Sequence, residues 1–383
     1  MMTALVALSI DAMLPALPEI GRELGVQRDN DNQLVISLLF LGLAVGQMIY
    51  GPVSDSIGRK PAIYAGFGLF IMGCLLSFFA TSFPMMLAGR IMQGVGVAGP
   101  RIVAIALIRD QHEGRAMARV MSFVMAIFIL VPIIAPAIGQ GILIMANWRA
   151  IFGAFLGLAF ITLSWFALRQ PETLALSQRI PFSLERIVMG IREVFANRTA
   201  IGYTIAAGLI SGAFLGYLNS TQQIFQELYR VGQLFPLFFA VLAFSSGFAS
   251  FLNARLVMRY GMRRLAISSF LMIGVLSTVF FAIASMLAGH PPLWALMIYF
   301  LIVFFGVGLL FGNLNALAME PLGHIAGVGA AVVGALSTII SLLLGTTIGQ
   351  SYDNTVLPLV GGFAILALMA LVVVHWAEYN KPL

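Results

Sequence analysis

Twelve long apolar runs follow one another along the chain, separated by shorter polar segments. A helix needs about 20 residues to cross a hydrocarbon core of about 30 Å, and most of the runs approach or exceed that length. A strand of a membrane barrel would be about 10 residues long and would alternate apolar with polar positions, which these runs do not. The pattern therefore predicts an all-α polytopic membrane protein with twelve transmembrane helices. They occupy Met1–Leu17, Leu34–Val53, Ala62–Ala80, Met85–Ile108, Val120–Met145, Trp148–Leu168, Ala200–Leu218, Leu234–Leu252, Leu265–Ala288, Leu293–Met319, Ile325–Ile348 and Val356–Trp376.

The amino-acid composition also points to a lipid environment. Hydrophobic residues make up 60% of the chain and charged residues 9%, whereas charged residues make up about 25% of an ordinary soluble protein. The first run has no basic start and no small-residue cleavage site, so we interpret it as a span and not as a secretory signal. The single cysteine, Cys74, lies inside an apolar run, which excludes a disulfide scaffold.

Basic residues are distributed unequally between the two sets of alternating loops. One set carries fifteen of the 21 Lys and Arg residues and the other carries four, while Arg90 and Arg101 lie inside spans. The positive-inside rule places the richer set of loops in the cytoplasm, and both termini lie on the same side. We therefore predict a multi-pass protein of the inner membrane with both termini in the cytoplasm. The net charge of +6 thus reflects orientation in the membrane and not nucleic-acid binding. The fifteen residues are Arg59, Lys60, Arg109, Arg115, Arg119, Arg169, Arg179, Arg186, Arg192, Arg198, Arg255, Arg259, Arg263, Arg264 and Lys381.

The longest polar break, Gln170–Thr199, divides the spans six and six. We therefore predict an N-terminal six-helix bundle at 1–169, a cytoplasmic connector at 170–199 and a C-terminal six-helix bundle at 200–383. The loop after the second span, Gly51–Lys60, and the loop after the eighth, Met258–Arg264, both contain glycine and basic residues, although the second has no acid. This similarity indicates internal duplication, which is how many secondary transporters are built.

Several short motifs resemble those of the major facilitator superfamily. The loop Gly51–Pro61, with the sequence GPVSDSIGRKP, is similar to the signature loop of that superfamily. The wider set is similar to the Bcr/CflA group of drug:proton antiporters, and it implies a fold of two pseudo-symmetric bundles and a monomer working by alternating access. The other matching segments are Asp11, Leu14–Pro18, Arg90–Gly96, Arg109-Asp110, Asn147–Arg149 and Pro171–Leu174.

One motif departs from the family pattern. The antiporter motif of the fifth helix ends in a Gly-Pro and a Gly-Gly pair, whereas this chain has Ala135-Pro136 and Gly139-Gln140-Gly141. The direction of transport therefore stays open at this point.

Ionisable residues inside spans cost about 2.5–3.5 kcal/mol each on insertion scales, so they indicate functional positions. Asp11 lies roughly 12 Å and Arg90 roughly 9 Å from the outer ends of their helices, at about 1.5 Å per residue. In the family the first and fourth helices line the central cavity, so we expect Asp11 and Arg90 to face each other and couple transport to protons. The alternative is a permanent structural pair that makes two buried charges tolerable.

Other polar positions are candidates for the substrate cavity. Arg101 falls on the same face of the fourth helix as Arg90, where it either contacts cargo or extends toward water. Side chains of the second half either bind cargo or join helices by hydrogen bonds. They are Tyr217, Asn219, Gln222, Gln223, Asn313 and Asn315. Glu320 and His324 are expected as surface or capping residues at the end of the tenth helix.

The resemblance assigns a different role to the signature loop. Gly51 and Gly58 belong to its pattern, and Gly58 permits a tight turn. Arg59 is expected to meet Asp110 at the end of the fourth helix, and Asp55 to brace the N-terminus of the eleventh helix, near Ala326-Gly327, as a conformational latch. The alternative is a basic turn that only sets membrane topology.

Enzyme functions find little support in the sequence. It contains no Walker loop and no Cys/His cluster at ligand spacing, so we expect no enzyme activity, no metal and no cofactor. We interpret the chain as a proton-coupled exporter of small amphipathic drug-like molecules, with the substrate, protons and the lipid bilayer as its partners. Two alternatives remain: a transporter of one natural solute such as a siderophore, sugar or amino-acid derivative, and a non-transporting membrane receptor or scaffold.

Overall fold

The computed structural model describes residues 2–112 and 114–379, and all regular structure within them is helical. Met1 and Lys381, which the sequence analysis placed in the first span and among the cytoplasmic basic residues, lie outside the described residues. The fourteen α-helices are α1 (Met2–Asp11), α2 (Leu17–Glu23), α3 (Leu34–Ile57), α4 (Arg59–Phe78), α5 (Phe83–Gln111), α6 (Gly114–Met145), α7 (Arg149–Arg169), α8 (Leu184–Ala196), α9 (Arg198–Gln222), α10 (Phe235–Tyr260), α11 (Met262–Met286), α12 (Leu293–Met319), α13 (Ala326–Gln350) and α14 (Leu357–Glu378).

The prediction of twelve spans is confirmed. Helices α1 and α2 together form the first span, α3 to α7 the next five, and α9 to α14 the last six. Within the described residues, ten helical segments are long and apolar enough to cross a membrane, and one of them, Leu293–Gln350, contains both α12 and α13. The 32-residue helix α6 supplies the remaining span.

The chain forms two compact units, Met1–Val188 and Met189–Leu383, and the boundary between them lies inside α8. In the first unit α5 packs against both α3 and α4, and in the second α9 packs against α12, α13 and α14.

The close packing of α5 against its neighbours requires glycine. A Cβ added at Gly94 would lie 2.1 Å from the carbonyl oxygen of Leu39, and one added at Gly96 would lie 2.3 Å from the backbone nitrogen of Phe70. Gly94 and Gly96 are therefore positions where the close approach of the helices leaves no room for a side chain.

Each unit contains a helical hairpin joined by a single glycine. Gly58 separates α3 from α4 with a φ of 109°, and Gly261 separates α10 from α11 with a φ of 78°. Residues with a side chain rarely adopt these positive φ values, so glycine is the residue that permits a one-residue connection. The similarity between the two basic loops in the sequence corresponds to this shared backbone joint.

The first span is not a continuous helix. Helix α1 ends at Asp11, a 3-10 turn covers Leu14–Ala16, and α2 starts at Leu17. Pro15 and Pro18 lack the N–H groups that would continue the helical hydrogen-bond ladder. The seventh span is also irregular, since α9 passes into a π-helix at Gln223–Leu228.

Helix α6 packs directly against the break in the first span. A Cβ added at Gly139 would lie 2.0 Å from the carbonyl oxygen of Ala12, whereas one added at Gly141 would have no neighbouring atom within 4 Å. Of the two glycines in the altered antiporter motif, Gly139 is therefore the one required for packing.

We expect Gly139→Ala to lower the thermal stability and the yield of folded protein, because its methyl group would collide with the backbone beside Asp11. Gly141→Ala is the matched control and should behave like the unchanged protein in melting and size-exclusion measurements. Equal stability of the two variants would contradict this account of the packing.

Candidate functional site

Arg90 is fully buried within the first unit, where three oxygen atoms hold its guanidinium group. Its Nε donates to the carbonyl oxygen of Val35 at 2.8 Å, Nη1 to Oε1 of Gln93 at 2.7 Å, and Nη2 to the carbonyl oxygen of Ser9 at 2.7 Å. The planar fork of an arginine suits this arrangement, since its donors point in fixed directions. Arg90 thereby ties α5 to α1 and α3.

Gln93 extends these contacts to a fourth helix. Its Nε2 donates to the carbonyl oxygen of Gly73 at 3.0 Å and to Oγ of Ser77 at 2.9 Å, both on α4. We call Arg90, Gln93 and these partners the Arg90 network. It joins α1, α3, α4 and α5 through hydrogen bonds to neutral oxygens, at a depth where unsatisfied polar groups are costly.

Asp11 lies at the end of α1, two residues after Ser9, and only 5% of its surface is exposed. The expected ion pair between Asp11 and Arg90 is not among those formed by residues 2–112 and 114–379, and the guanidinium donates instead to oxygens of Ser9, Val35 and Gln93. The carboxyl group of Asp11 is therefore buried beside a break in its helix, without an ion pair to Arg90. The two residues are linked through the backbone of α1 and not by direct contact.

Two polar candidates in the second unit, Asn219 and Asn313, join helices. Asn219 donates its amide to the carbonyl oxygen of Gly345 on α13 at 3.1 Å. Asn313 and Asn253 exchange amide hydrogen bonds of 2.9 and 3.2 Å between α12 and α10. Asn219 and Asn313 are buried, so their described contacts match the interhelical alternative.

The remaining cavity candidates have different surroundings. Tyr217 is buried in a cluster of aromatic rings, with its ring centroid 4.7 Å from that of Phe304 and 5.5 Å from that of Phe300. Arg101 is partly buried on α5, and Asn315 has an exposed side chain on α12. Among the predicted cavity residues, Arg101 and Asn315 are thus the two that are not buried, and their place in a substrate cavity stays a prediction.

The predicted contact between Arg59 and Asp110 is present. The buried guanidinium of Arg59 donates to Asp110 at 3.0 Å and to Oγ of Ser54 at 2.9 Å, and it also pairs with Asp55. Ser54 in turn donates to the carbonyl oxygen of Gly51 at 2.9 Å. The bracing of the eleventh helix by Asp55 concerns the other unit and stays a prediction.

Glu172 lies in the matching segment Pro171–Leu174, but the sequence assigned it no role at a site. Its carboxylate accepts hydrogen bonds from the backbone N–H groups of Arg59 at 3.0 Å and Lys60 at 2.9 Å, at the start of α4. It also accepts from Thr173 and Leu174, both at 3.0 Å. An acid at a helix N-terminus is stabilised by the helix dipole and by these donors. Burial disfavours the charge, but the four N–H groups outweigh it and hold the pKa of the Glu172 carboxyl below its usual value.

The second unit has a comparable cluster. Arg263, in the first turn of α11, donates to Glu378 at 3.1 Å and to Glu320 at 2.9 Å. Glu320 directly follows α12 and Glu378 is the last residue of α14, so the acids missing from the loop itself come from two other helices. Glu320 is exposed at the end of α12, as expected of a surface or capping residue, and it also forms a salt bridge with Arg263.

A third cluster fixes the opposite end of the first unit. Glu23, at the end of α2, accepts hydrogen bonds from the indole of Trp148 and from Arg149 at the start of α7. Arg149 also donates to the carbonyl oxygen of Ala80 at 2.9 Å, and its guanidinium lies 4.1 Å from the Trp148 ring centroid. This cluster holds α2, the segment after α4 and the start of α7 together.

Comparison with known proteins places these features in a family. A model described as the Major Facilitator Superfamily matches residues 1–346. An uncharacterized MFS-type transporter, YdgK of Bacillus subtilis, is 30% identical over 94% of this chain and 89% of its own length. A bicyclomycin resistance protein homolog of Haemophilus influenzae is 29% identical, covering 94% and 91%. Multidrug resistance protein D of Escherichia coli is 27% identical, covering 94% and 87%.

Solved structures agree at the level of the fold. The xylose transporter XylE of Escherichia coli, in a partially occluded inward-open conformation, superimposes with a TM-score of 0.73. The match covers 100% of this chain and 96% of that one at 13% identity, so it concerns the fold alone.

We expect Arg90→Lys to destabilise the protein, because an ammonium group cannot reach all three oxygens that the guanidinium fork serves. Each acceptor left without a donor should cost about 1–3 kcal/mol. Thermal melting in detergent should show the loss, while Arg22→Lys, at an exposed position, serves as the control. A melting temperature unchanged by Arg90→Lys would contradict the role of the network.

We expect Glu172→Gln to destabilise the protein in a pH-dependent manner. The carboxyl has a lowered pKa in the folded state, so its contribution is complete above its unfolded pKa of about 4.3 and is lost as pH falls through the lower folded value. The difference in melting temperature between the two proteins should be full above about pH 5 and shrink below about pH 4. A difference that does not depend on pH would show that the charge of Glu172 is unimportant.

Proposed function

The chain belongs to the Major Facilitator Superfamily, and we propose that it exports small amphipathic drug-like molecules in exchange for protons. The bicyclomycin and multidrug resistance proteins that it matches over most of their lengths support this cargo class. The membrane potential supplies about 2.3 kcal/mol per charge per 100 mV, so one inward-moving proton per cycle would drive useful export.

The buried carboxyl group of Asp11 is the observation that carries the proposal. A carboxylate without a counter-charge is far more costly in an apolar environment than a neutral carboxylic acid. In the proposed cycle Asp11 takes up a proton when water reaches it from one side of the membrane and releases it when water reaches it from the other. Its position at the break between α1 and the 3-10 turn places this chemistry where the helix is irregular.

Arg90 acts in this proposal as a positioning residue. Its hydrogen bond to the Ser9 carbonyl fixes α1 two residues before Asp11. Movement of α1 would break this contact, so the position of Asp11 and the state of the Arg90 network are coupled. Cargo contacts fall to Arg101 and Asn315, whose side chains keep accessible surface.

The membrane orientation, the alternating access and the latch are assigned from the positive-inside rule and from the family. The ends that carry Arg59 and Arg263 face the cytoplasm together with both termini, in the inner membrane of a bacterium. The bundles at 1–169 and 200–383 alternate in access as a monomer, and Asp55 latches the eleventh helix in one of the two states. Glu172 holds the Asp55 loop in place by capping α4.

We expect Asp11→Asn to fold normally but to lose proton-driven export, because an amide cannot bind and release a proton at neutral pH. Proteoliposomes with an imposed pH gradient would measure dye or drug efflux together with proton movement. Asp29→Asn, at an exposed position, is the matched control and should transport normally. Efflux by Asp11→Asn that still responds fully to the gradient would refute the assignment.

Expression in a drug-sensitive bacterium distinguishes the cargo classes. Resistance to several compounds that a protonophore abolishes is expected for the proposed exporter. Growth on one nutrient with no change in resistance would instead identify a transporter of a single natural solute. The absence of any transport by the folded protein would favour a receptor or scaffold.

A further inference from the structure

A cavity of about 200 Å³ lies between α1, α5 and α6 within the first unit. Sites that hold a whole drug-sized ligand are concave, mostly apolar and about 300–1,000 Å³ in volume. This smaller cavity therefore suits a compact apolar group, as a whole small ligand or as one part of a larger one. The residues that line it are Met2, Thr3, Ala104, Ile105, Ile108 and Val124.

Arg101 lies one helical turn from this cavity on the same face of α5. At 100° per residue, the three lining residues of α5 fall within about 60° of Arg101 around the helix axis. Side chains of a helix lean toward its N-terminus, which places the guanidinium beyond the end of the cavity nearer the middle of the span. Arg101 is partly buried, and it lies about 10 Å along the axis from Ile108. A ligand of that length extends from the cavity to the guanidinium.

The charges of the three helices favour an anion. Helices α1, α5 and α6 contain two acids, Asp11 and Asp110. Asp110 is paired with Arg59 at 3.0 Å, and Asp11 lies roughly 13 Å along α1 from the cavity residue Met2. The same helices contain five arginines, so the potential around the cavity is positive. These are Arg90, Arg101, Arg109, Arg115 and Arg119.

We propose that the cavity and Arg101 form a binding subsite for amphipathic organic acids. The apolar part of the acid occupies the cavity, and its carboxylate or sulfonate pairs with the guanidinium. A guanidinium suits this task because its planar fork donates two parallel hydrogen bonds to one anionic group. The inference rests on the proposed export function and adds the charge of one class of cargo.

An anionic cargo also changes the driving force. Exchange of one outward-moving monovalent anion for one inward-moving proton transfers two charge equivalents in the direction that an inside-negative potential favours. Export of a neutral molecule in the same exchange transfers one. The proposed cargo is therefore driven more strongly by the membrane potential.

Equilibrium binding of two matched probes tests the proposal. The full-length protein is placed in phosphatidylcholine nanodiscs, and scintillation proximity measures binding of tritiated 4-tert-butylbenzoate and of its neutral amide at neutral pH, where the acid is ionised. We expect the acid to bind roughly tenfold or more tightly than the amide, because hydrogen bonds between charged partners are the stronger ones.

Removal of the positive charge should abolish this preference. In Arg101→Gln the affinity for the acid should fall to that for the amide, while the affinity for the amide stays the same. Arg22→Gln, at an exposed position on α2, is the matched control and should keep the full preference for the acid.

A second pair of variants keeps the test independent of the folding of Arg101→Gln. Ala104→Glu and Ala104→Gln place side chains of the same shape in the cavity, and only the glutamate adds a negative charge beside Arg101. We expect both variants to weaken binding of the amide equally, and Ala104→Glu to weaken binding of the acid far more than Ala104→Gln.

Three results would overturn the proposal. The first is equal affinity of the unchanged protein for the acid and the amide, or no binding of either. The second is a preference for the acid that survives in folded Arg101→Gln. The third is an equal effect of the two Ala104 variants on the acid.

A lipid acyl chain is the competing occupant of the cavity. Addition of phosphatidylglycerol to the nanodiscs should leave binding of the neutral amide unchanged, whereas its loss would assign the cavity to lipid and overturn the cargo assignment. These measurements require neither transport nor a proton gradient. Failure of the subsite is therefore distinguishable from failure of proton-coupled export, which Asp11→Asn tests.

Discussion

The first unit is organised around one buried positive charge that has to be satisfied without water. Arg90 donates to three oxygens, each from a different helix, and two of these oxygens belong to backbone carbonyls. Backbone carbonyls can approach a guanidinium only if the helices themselves lie close together. The glycines of α5 permit that approach, since any Cβ at Gly94 would collide with α3. Small residues and the charged residue are therefore parts of one arrangement, in which close packing brings the carbonyls within reach of Arg90 and the hydrogen bonds then hold the helices.

The two units repeat a second arrangement at the ends of their helices. In each, a one-glycine joint is followed by an arginine that pairs with an acid at the end of another span, namely Arg59 with Asp110 and Arg263 with Glu320. The units differ in how the adjoining helix is capped. Glu172 accepts backbone N–H groups at the start of α4, whereas Glu378 meets the side chain of Arg263. The two units thus agree in the positions of these charges more closely than in their contacts.

The sequence predicts the spans well because hydrophobicity and length are local properties of the chain. It also identifies Arg59 with Asp110, since the motif resemblance carried that contact. It does not predict the partners of Arg90, because backbone carbonyls leave no trace in the identity of Ser9 or Val35. The role of Glu172 was missed for the same reason. Its partners are backbone N–H groups, which the sequence does not mark. An acid just after the end of one span, on the side of the membrane where another helix begins, is the pattern that would have predicted this cap.

The break in the first span separates two segments with different attachments. Helix α1 is held from within by Arg90, while α2 is held at its far end by Trp148 and Arg149 through Glu23. A continuous helix would transmit any tilt of α7 directly to α5 through the first span. Here α1 passes into a 3-10 turn after Asp11, so the two attachments act on separate helical segments. Asp11 is consequently the last residue of the segment that Arg90 holds, and the segment beyond the turn is anchored to α7 instead.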